Sequence, residues 1–158
     1  MKSNIVIRQA VAEDAEQFVK LKNLVWKDAY KNIFPKEVFD EQEASQDSKI
    51  KYFKENMVGN KNNLIFVAEC LGNIVGLISG SLLSNYEFFK NNGYADLTAL
   101  YIHPDYQGLG ISSKFKNMFE HWAKQNNATK PAPYGPHWDW KDSNGQLWRL
   151  YRFWRTRK

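Results

Sequence analysis

The chain has 158 residues, a net charge of +5 from 22 Lys and Arg against 17 Asp and Glu, 43% hydrophobic and 15% aromatic content, and one cysteine, Cys70. This length and composition predict one folded domain, residues 1–158, and argue against a two-domain enzyme or a mainly disordered chain. The apolar stretch 73–83 is broken by Gly76, Ser79 and Gly80 and falls short of the roughly 20 residues a membrane span needs. Met1 to Asn4 run straight into Ile5-Val6-Ile7 without an apolar leader, so the expected compartment is the cytoplasm. A lone cysteine leaves no intramolecular disulfide and no cysteine-based zinc cluster. The excess of cations suits anionic ligands in general.

The β-branched run Ile5-Val6-Ile7-Arg8, followed by the acidic Glu13 and Asp14, reads as a strand feeding a helix N-terminus. Phe18, Leu21, Val25 and Ala29 recur at helical steps and predict a helix over Ala15–Tyr30 with those residues on its buried face. Pro35 restarts the chain, and Ile50, Phe53 and Met57 mark a second, looser helical region. Leu64 to Glu69 and Ile74 to Ile78 read as a hairpin, with Gly72-Asn73 expected to supply the positive φ of the turn. Residues 85–92 are polar and aromatic and read as a loop. Tyr94 to Ile102 is again strand-like, with Leu97, Ala99 and Tyr101 expected on one face.

His103-Pro104-Asp105 stops that strand, Gln107-Gly108-Leu109-Gly110 follows, and from Ile111 the residues Phe115, Met118, Phe119, Trp122 and Ala123 form an apolar helical stripe. Residues 131–136 carry three of the five prolines and read as an irregular crossing. Beyond it, His137-Trp138-Asp139-Trp140 alternates like a strand, whereas Leu147, Leu150, Tyr151 and Trp154 are spaced like a helix.

A strand, a glycine-bearing turn and a helix N-terminus together make an anion site, because free N–H groups and the positive end of the helix face the ligand. The third glycine of the dinucleotide fingerprint and the Gly-Lys-Ser/Thr of a P-loop are both missing. Gln107-x-x-Gly110-x-Ser112 instead resembles the Gln/Arg-x-x-Gly-x-Gly/Ala signature of the GCN5-related N-acetyltransferases. The likeness extends through the preceding Leu100 to Tyr106 and through the element order β, α, α, β, β, β, α, about three quarters of the chain. Ser112 departs from the family's small Gly or Ala.

The resemblance implies an α/β fold with a mixed, mostly antiparallel sheet flanked by helices, and transfer of acetyl from acetyl-coenzyme A to a primary amine of a small molecule or peptide, without a metal. It implies a pyrophosphate held on the amides of Gln107, Gly108, Leu109, Gly110, Ile111, Ser112 and Ser113, with the pantetheine along Leu100, Tyr101 and Ile102. Asn144-x-x-Leu147-x-x-Leu150-Tyr151 is similar to a pattern in the family's helix after the fifth strand, which makes Tyr151 the expected acid. Asp96 holds a strand position where relatives often carry an acidic residue and is the expected base, with Glu69 as the alternative. Trp26, Tyr30, Phe34, Tyr86 and Phe88 are candidates for an aromatic acceptor pocket.

His103, His121 and His137 lack metal-ligand spacing. Four of the five arginines fall in the last ten residues among tryptophans. That composition fits a genuine short variant of the family, a divergent tail over residues 131–158, or a reading-frame change near residue 130. A sheet without its last strands would expose an edge that favours dimerisation. Two other readings stand beside the enzyme: a non-catalytic acyl-coenzyme A binder, and a nucleic-acid-binding module that uses the basic aromatic tail to stack bases and neutralise phosphates.

Overall fold

A computed structural model describes residues 4–83, 93–128, 130–131, 137–141 and 147–151. Strands β1 (Ile5–Gln9), β2 (Asn63–Cys70), β3 (Asn73–Ser81), β4 (Tyr94–Ile102) and β5 (Lys130–Pro131) form one sheet in that order. The first four are antiparallel to their neighbours, and β5 lies parallel to β4. Strands β6 (His137–Lys141) and β7 (Leu147–Tyr151) pair as a separate antiparallel hairpin. Helix α1 (Ala15–Tyr30) has the bounds its periodicity predicts. The looser helical region resolves into α2 (Lys36–Ala44), α3 (Gln46–Tyr52) and a π-helical turn over Phe53–Met57, and α4 (Ile111–Gln125) follows the glycine turn. No helix among the described residues is long and apolar enough to cross a membrane.

The sheet separates two cores. On one face, Phe18 and Leu21 of α1 and Phe53 pack on Ile65, Val67, Ile74, Leu77 and Ala99. On the other, Ile111, Phe115, Phe119 and Ala123 of α4 pack on Leu64, Ala68, Ile78, Leu97 and Leu100. Alternation of side chains along each strand feeds both faces, which is why β3 is buried from Ile74 to Gly80. The expected α1 stripe holds at Phe18, Leu21 and Val25 but stops short of Ala29, which is exposed beyond the edge of the core.

The other departures also have local causes. The β2–β3 turn is Leu71-Gly72, one residue earlier than expected, because Cys70 pairs with Asn73. A two-residue hairpin loop of this kind needs positive φ at both positions, and Leu71 and Gly72 have φ of 52° and 81°. Leu97, Ala99 and Tyr101 do not share one face. Ser79 pairs with Ala99 and Gly80 with Leu97, so Thr98 is an inserted bulge residue that shifts the alternation by one. Leu147 to Tyr151 form a strand rather than the expected helix. Their residues pair one by one with His137–Lys141, from Leu147 with Lys141 to Tyr151 with His137.

At the start of the chain, Arg8 Nη1 and Nη2 donate to both Asp14 oxygens at 2.7 and 2.8 Å, and Nε donates to Glu69 Oε2 at 2.9 Å. Asp14 also accepts the Val11 N–H at 2.8 Å. This ties the loop before α1 to β1 and β2. The hydrogen bond from Arg8 holds the Asp14 carboxyl below the usual carboxylate range, against the opposing effect of burial.

Two outcomes follow. Leu71→Asn, which relieves a leucine held at positive φ on an exposed turn, should stabilise the protein by about 1 kcal/mol in urea denaturation with the slope unchanged. A carboxyl with a depressed folded-state pKa stabilises above its unfolded value and loses that contribution as the pH falls, so Asp14→Asn should cost about 2 kcal/mol at pH 7 and progressively less below about pH 4. Denaturation across pH measures the difference.

Candidate functional site

The site is built along β4 beyond its described pairing with β5. Among the described residues, β5 pairs with β4 at Tyr94–Lys130 and Ala95–Pro131. Among the described residues, the β4 edge from 96 to 102 that faces away from β3 has no paired strand. Its backbone groups can take an extended ligand as they would take another strand. Leu100, Tyr101 and Ile102, the residues expected to flank a pantetheine, form the end of this open edge.

The edge leads directly into the glycine turn. A short helical turn over Pro104–Tyr106 reverses the chain, with His103 Nδ1 accepting the Asp105 N–H at 3.2 Å. The His103 N–H is tied to the Val75 carbonyl at 2.8 Å. A hydrogen bond between the Tyr106 hydroxyl and the Cys70 thiol anchors the turn to the core and raises the phenol above its ordinary pKa. Gln107 Nε2 reaches back to the Ile102 carbonyl at 3.3 Å, and the Gln107 N–H bonds the Pro104 carbonyl.

Gly108 and Gly110 both sit at positive φ, 76° and 80°, where any other residue is strained. The space where a Cβ would stand is open at both, with nothing within 4 Å. Gly110 caps α4 without a side-chain bond, and the helix ladder begins with Lys114 N–H to the Gly110 carbonyl at 3.2 Å. The N–H groups of Ile111, Ser112 and Ser113 therefore precede the first intrahelical bond, at the positive end of a 15-residue helix with no acidic residue in its first turn. Leu109, Gly110 and Ser113 are exposed, Ser112 is half-buried, and Ile111 anchors the helix in the core. The cradle fits a pyrophosphate by geometry and charge.

The bulge determines what stands beside the open edge. Ala95 and Leu97 belong to the α4 face, so Asp96 between them turns to the α1 face. Thr98 joins it there, bonded to Ser79 at 2.6 Å, and Ala99 and Tyr101 follow on the same side. Asp96 is 7% exposed, a buried carboxylate rather than a solvated strand residue. Burial, and then the nearby Tyr30, raise the Tyr101 phenol. Trp26, Tyr30 and Phe34 form an aromatic cluster with Phe39. Trp26 and Phe39, with Asn23 and Gln42, line a cavity of about 370 Å³ between α1 and α2.

Glu69 and Tyr151 stand on other strands. Glu69, the alternative base, is ion-paired to Arg8 of β1. Tyr151 is the last residue of β7 and not part of a helix. Tyr86 and Phe88 in residues 84–92, the crossing at 132–136 and the end of the tail at 152–158 are outside the described residues. The sequence reading missed Ser79 and Thr98. The available signal was the break in alternation at Ala99-Leu100, where two apolar residues adjoin after a period of two. No group of three or more His, Cys, Asp or Glu among the described residues is placed to hold a metal ion.

A family model described as "Acetyltransferase (GNAT) family" matches residues 19–152, a span that continues through most of the segment set apart by its arginines and tryptophans. Among curated proteins, none matches. Of the solved structures, the chain is similar to the PaiA N-acetyltransferase from Thermoplasma acidophilum in complex with coenzyme A, at 21% identity over 79% of this chain and 75% of that one, with a TM-score of 0.61. It is similar to a predicted acetyltransferase with acetyl-CoA from Clostridium acetobutylicum, at 19% identity over 81% and 79%, with a TM-score of 0.62. It is also similar to AAC(6')-Iy in complex with the bisubstrate analogue CoA-S-monomethyl-acetylneamine, at 17% identity over 82% and 78%, with a TM-score of 0.54.

Proposed function

The chain belongs to the GNAT acetyltransferase family, and on that premise we propose that it transfers the acetyl group of acetyl-coenzyme A to a primary amine of a small molecule or peptide. The observation that carries this reading is the continuity of the open β4 edge with the uncapped glycine turn. An extended, amide-bearing ligand that ends in a diphosphate matches both parts, and the solved relatives bound to coenzyme A or acetyl-CoA share the fold.

Acetyl-coenzyme A supplies an activated thioester: the amine nitrogen bonds to the carbonyl carbon, the C–S bond breaks, and the electron pair leaves on sulfur. The amides of residues 108–113 neutralise the diphosphate and fix the ligand's length along the strand. The backbone of Leu100 to Ile102 holds its arm extended. This positioning converts a bimolecular encounter into a local one. Asp96, on the α1 face just before the bulge, receives the proton the amine must lose, at its carboxylate. Tyr151 is the phenol assigned to protonating the departing sulfur. The aromatic cluster of Trp26, Tyr30 and Phe34 offers apolar, electron-rich walls for the carbon body and ammonium of the acceptor.

Calorimetric titration of acetyl-coenzyme A should give micromolar binding by the parent protein and none by Gly110→Glu, which places a carboxylate in the cradle. Asp96→Asn should bind acetyl-coenzyme A normally while its turnover with an amine falls about 10²- to 10⁴-fold. No binding by a folded parent protein would refute the reading. Binding without turnover on a broad amine panel would leave an acyl-coenzyme A binder instead.

A further inference from the structure

The Oγ of Ser79 and the Oγ1 of Thr98 lie 2.6 Å apart at the β4 bulge. Geometry alone leaves either atom as the donor, but burial decides. Ser79 is 3% exposed, and Thr98 Oγ1 is the acceptor available to its hydroxyl among the described residues. Buried hydroxyl protons are bonded in folded proteins, so Ser79 donates and Thr98 accepts. The Thr98 proton must then point away from Ser79. Thr98 is exposed, so that proton is accessible from outside the core. A hydroxyl that already accepts a bond is polarised into a stronger donor.

Acyl transfer needs a fixed donor where negative charge develops on the carbonyl oxygen. Of the β4 side chains from 96 to 102, Asp96 accepts when ionised, Leu97, Ala99, Leu100 and Ile102 have no polar side-chain atom, and Tyr101 is half-buried where Thr98 is exposed. Thr98 is the exposed hydroxyl on the strand, one step from Ala99 and two from the carboxylate of Asp96 in sequence. We propose that the Thr98 hydroxyl is a catalytic donor to the acetyl carbonyl oxygen and that Ser79 is the positioning residue that aims it. This inference rests on the acetyl-transfer reading above. Thr98 keeps its proton throughout: the electron pair that moves onto the carbonyl oxygen as the amine attacks returns to carbon when the C–S bond breaks.

The test uses acetyl-coenzyme A labelled with ¹³C at the acetyl carbonyl, bound to the full chain and read by infrared difference spectroscopy, with affinity measured in parallel. A donated hydrogen bond lowers the carbonyl stretch. The parent protein should show a lowered frequency. Thr98→Val, nearly isosteric, should return it towards the free-ligand value with affinity unchanged within about twofold and turnover reduced about 10²-fold. Thr98→Ser should restore the lowered frequency, and Ser79→Ala should fall between, since Thr98 would remain without its aim. Equal frequencies in the parent and Thr98→Val, both loaded, would overturn the inference. Failure of the parent to bind acetyl-coenzyme A would overturn the acetyl-transfer reading and this inference with it.

Discussion

Among the described residues, strand β4 pairs with β5 at Tyr94 and Ala95 and with β3 from Asp96 to Ile102, and the candidate site depends on that handover. A parallel pair that continued to Ile102 would bury the backbone groups that a ligand must reach. Among the described residues the edge from 96 onward has no paired strand, and the chain at its end turns through Gly108 and Gly110 into a helix whose first amides have no internal acceptors. One strand thus supplies both an extended track and an anion cradle. Their relative placement is fixed by the short turn that His103, Tyr106 and Gln107 tie to Val75, Cys70 and Ile102.

The bulge at Thr98 decides which face each β4 side chain takes. An uninterrupted strand would put Asp96 on the same face as Leu100 and Ile102, the α4 face, among Phe115 and Phe119. A carboxylate there would have no room and no polar company. The inserted residue shifts the phase, so that Asp96 and Thr98 join Ala99 and Tyr101 on the α1 face while Leu97 and Leu100 both serve the α4 core. Packing and chemistry are separated by one extra residue.

Much of this was legible. The helical stripes of Phe18-Leu21-Val25 and Phe115-Phe119-Ala123 gave two helices their bounds, because burial of one face dominates helix placement. The glycine cradle was readable because positive φ restricts residue choice at two positions. What the sequence did not reveal was controlled by pairing across strands. The bulge depends on register between Ser79 and Ala99, the turn moved to Leu71-Gly72 because Cys70 pairs with Asn73, and Glu69 was claimed by Arg8 from a strand 61 residues away in sequence. The spacing of Leu147, Leu150 and Tyr151 pointed to a helix, whereas pairing with His137–Lys141, which local spacing cannot show, makes this segment a strand.

The central claim is that the open β4 edge and the glycine turn form one continuous coenzyme A site. Amide resonances of ¹⁵N-labelled protein, followed as acetyl-coenzyme A is added, test it residue by residue. The account predicts saturable shifts that cluster at Gly108 to Ser113 and at Leu100 to Ile102, with Gly59 and the Leu71-Gly72 turn unmoved. Shifts confined to one of the two segments, or centred elsewhere on the sheet, would contradict it.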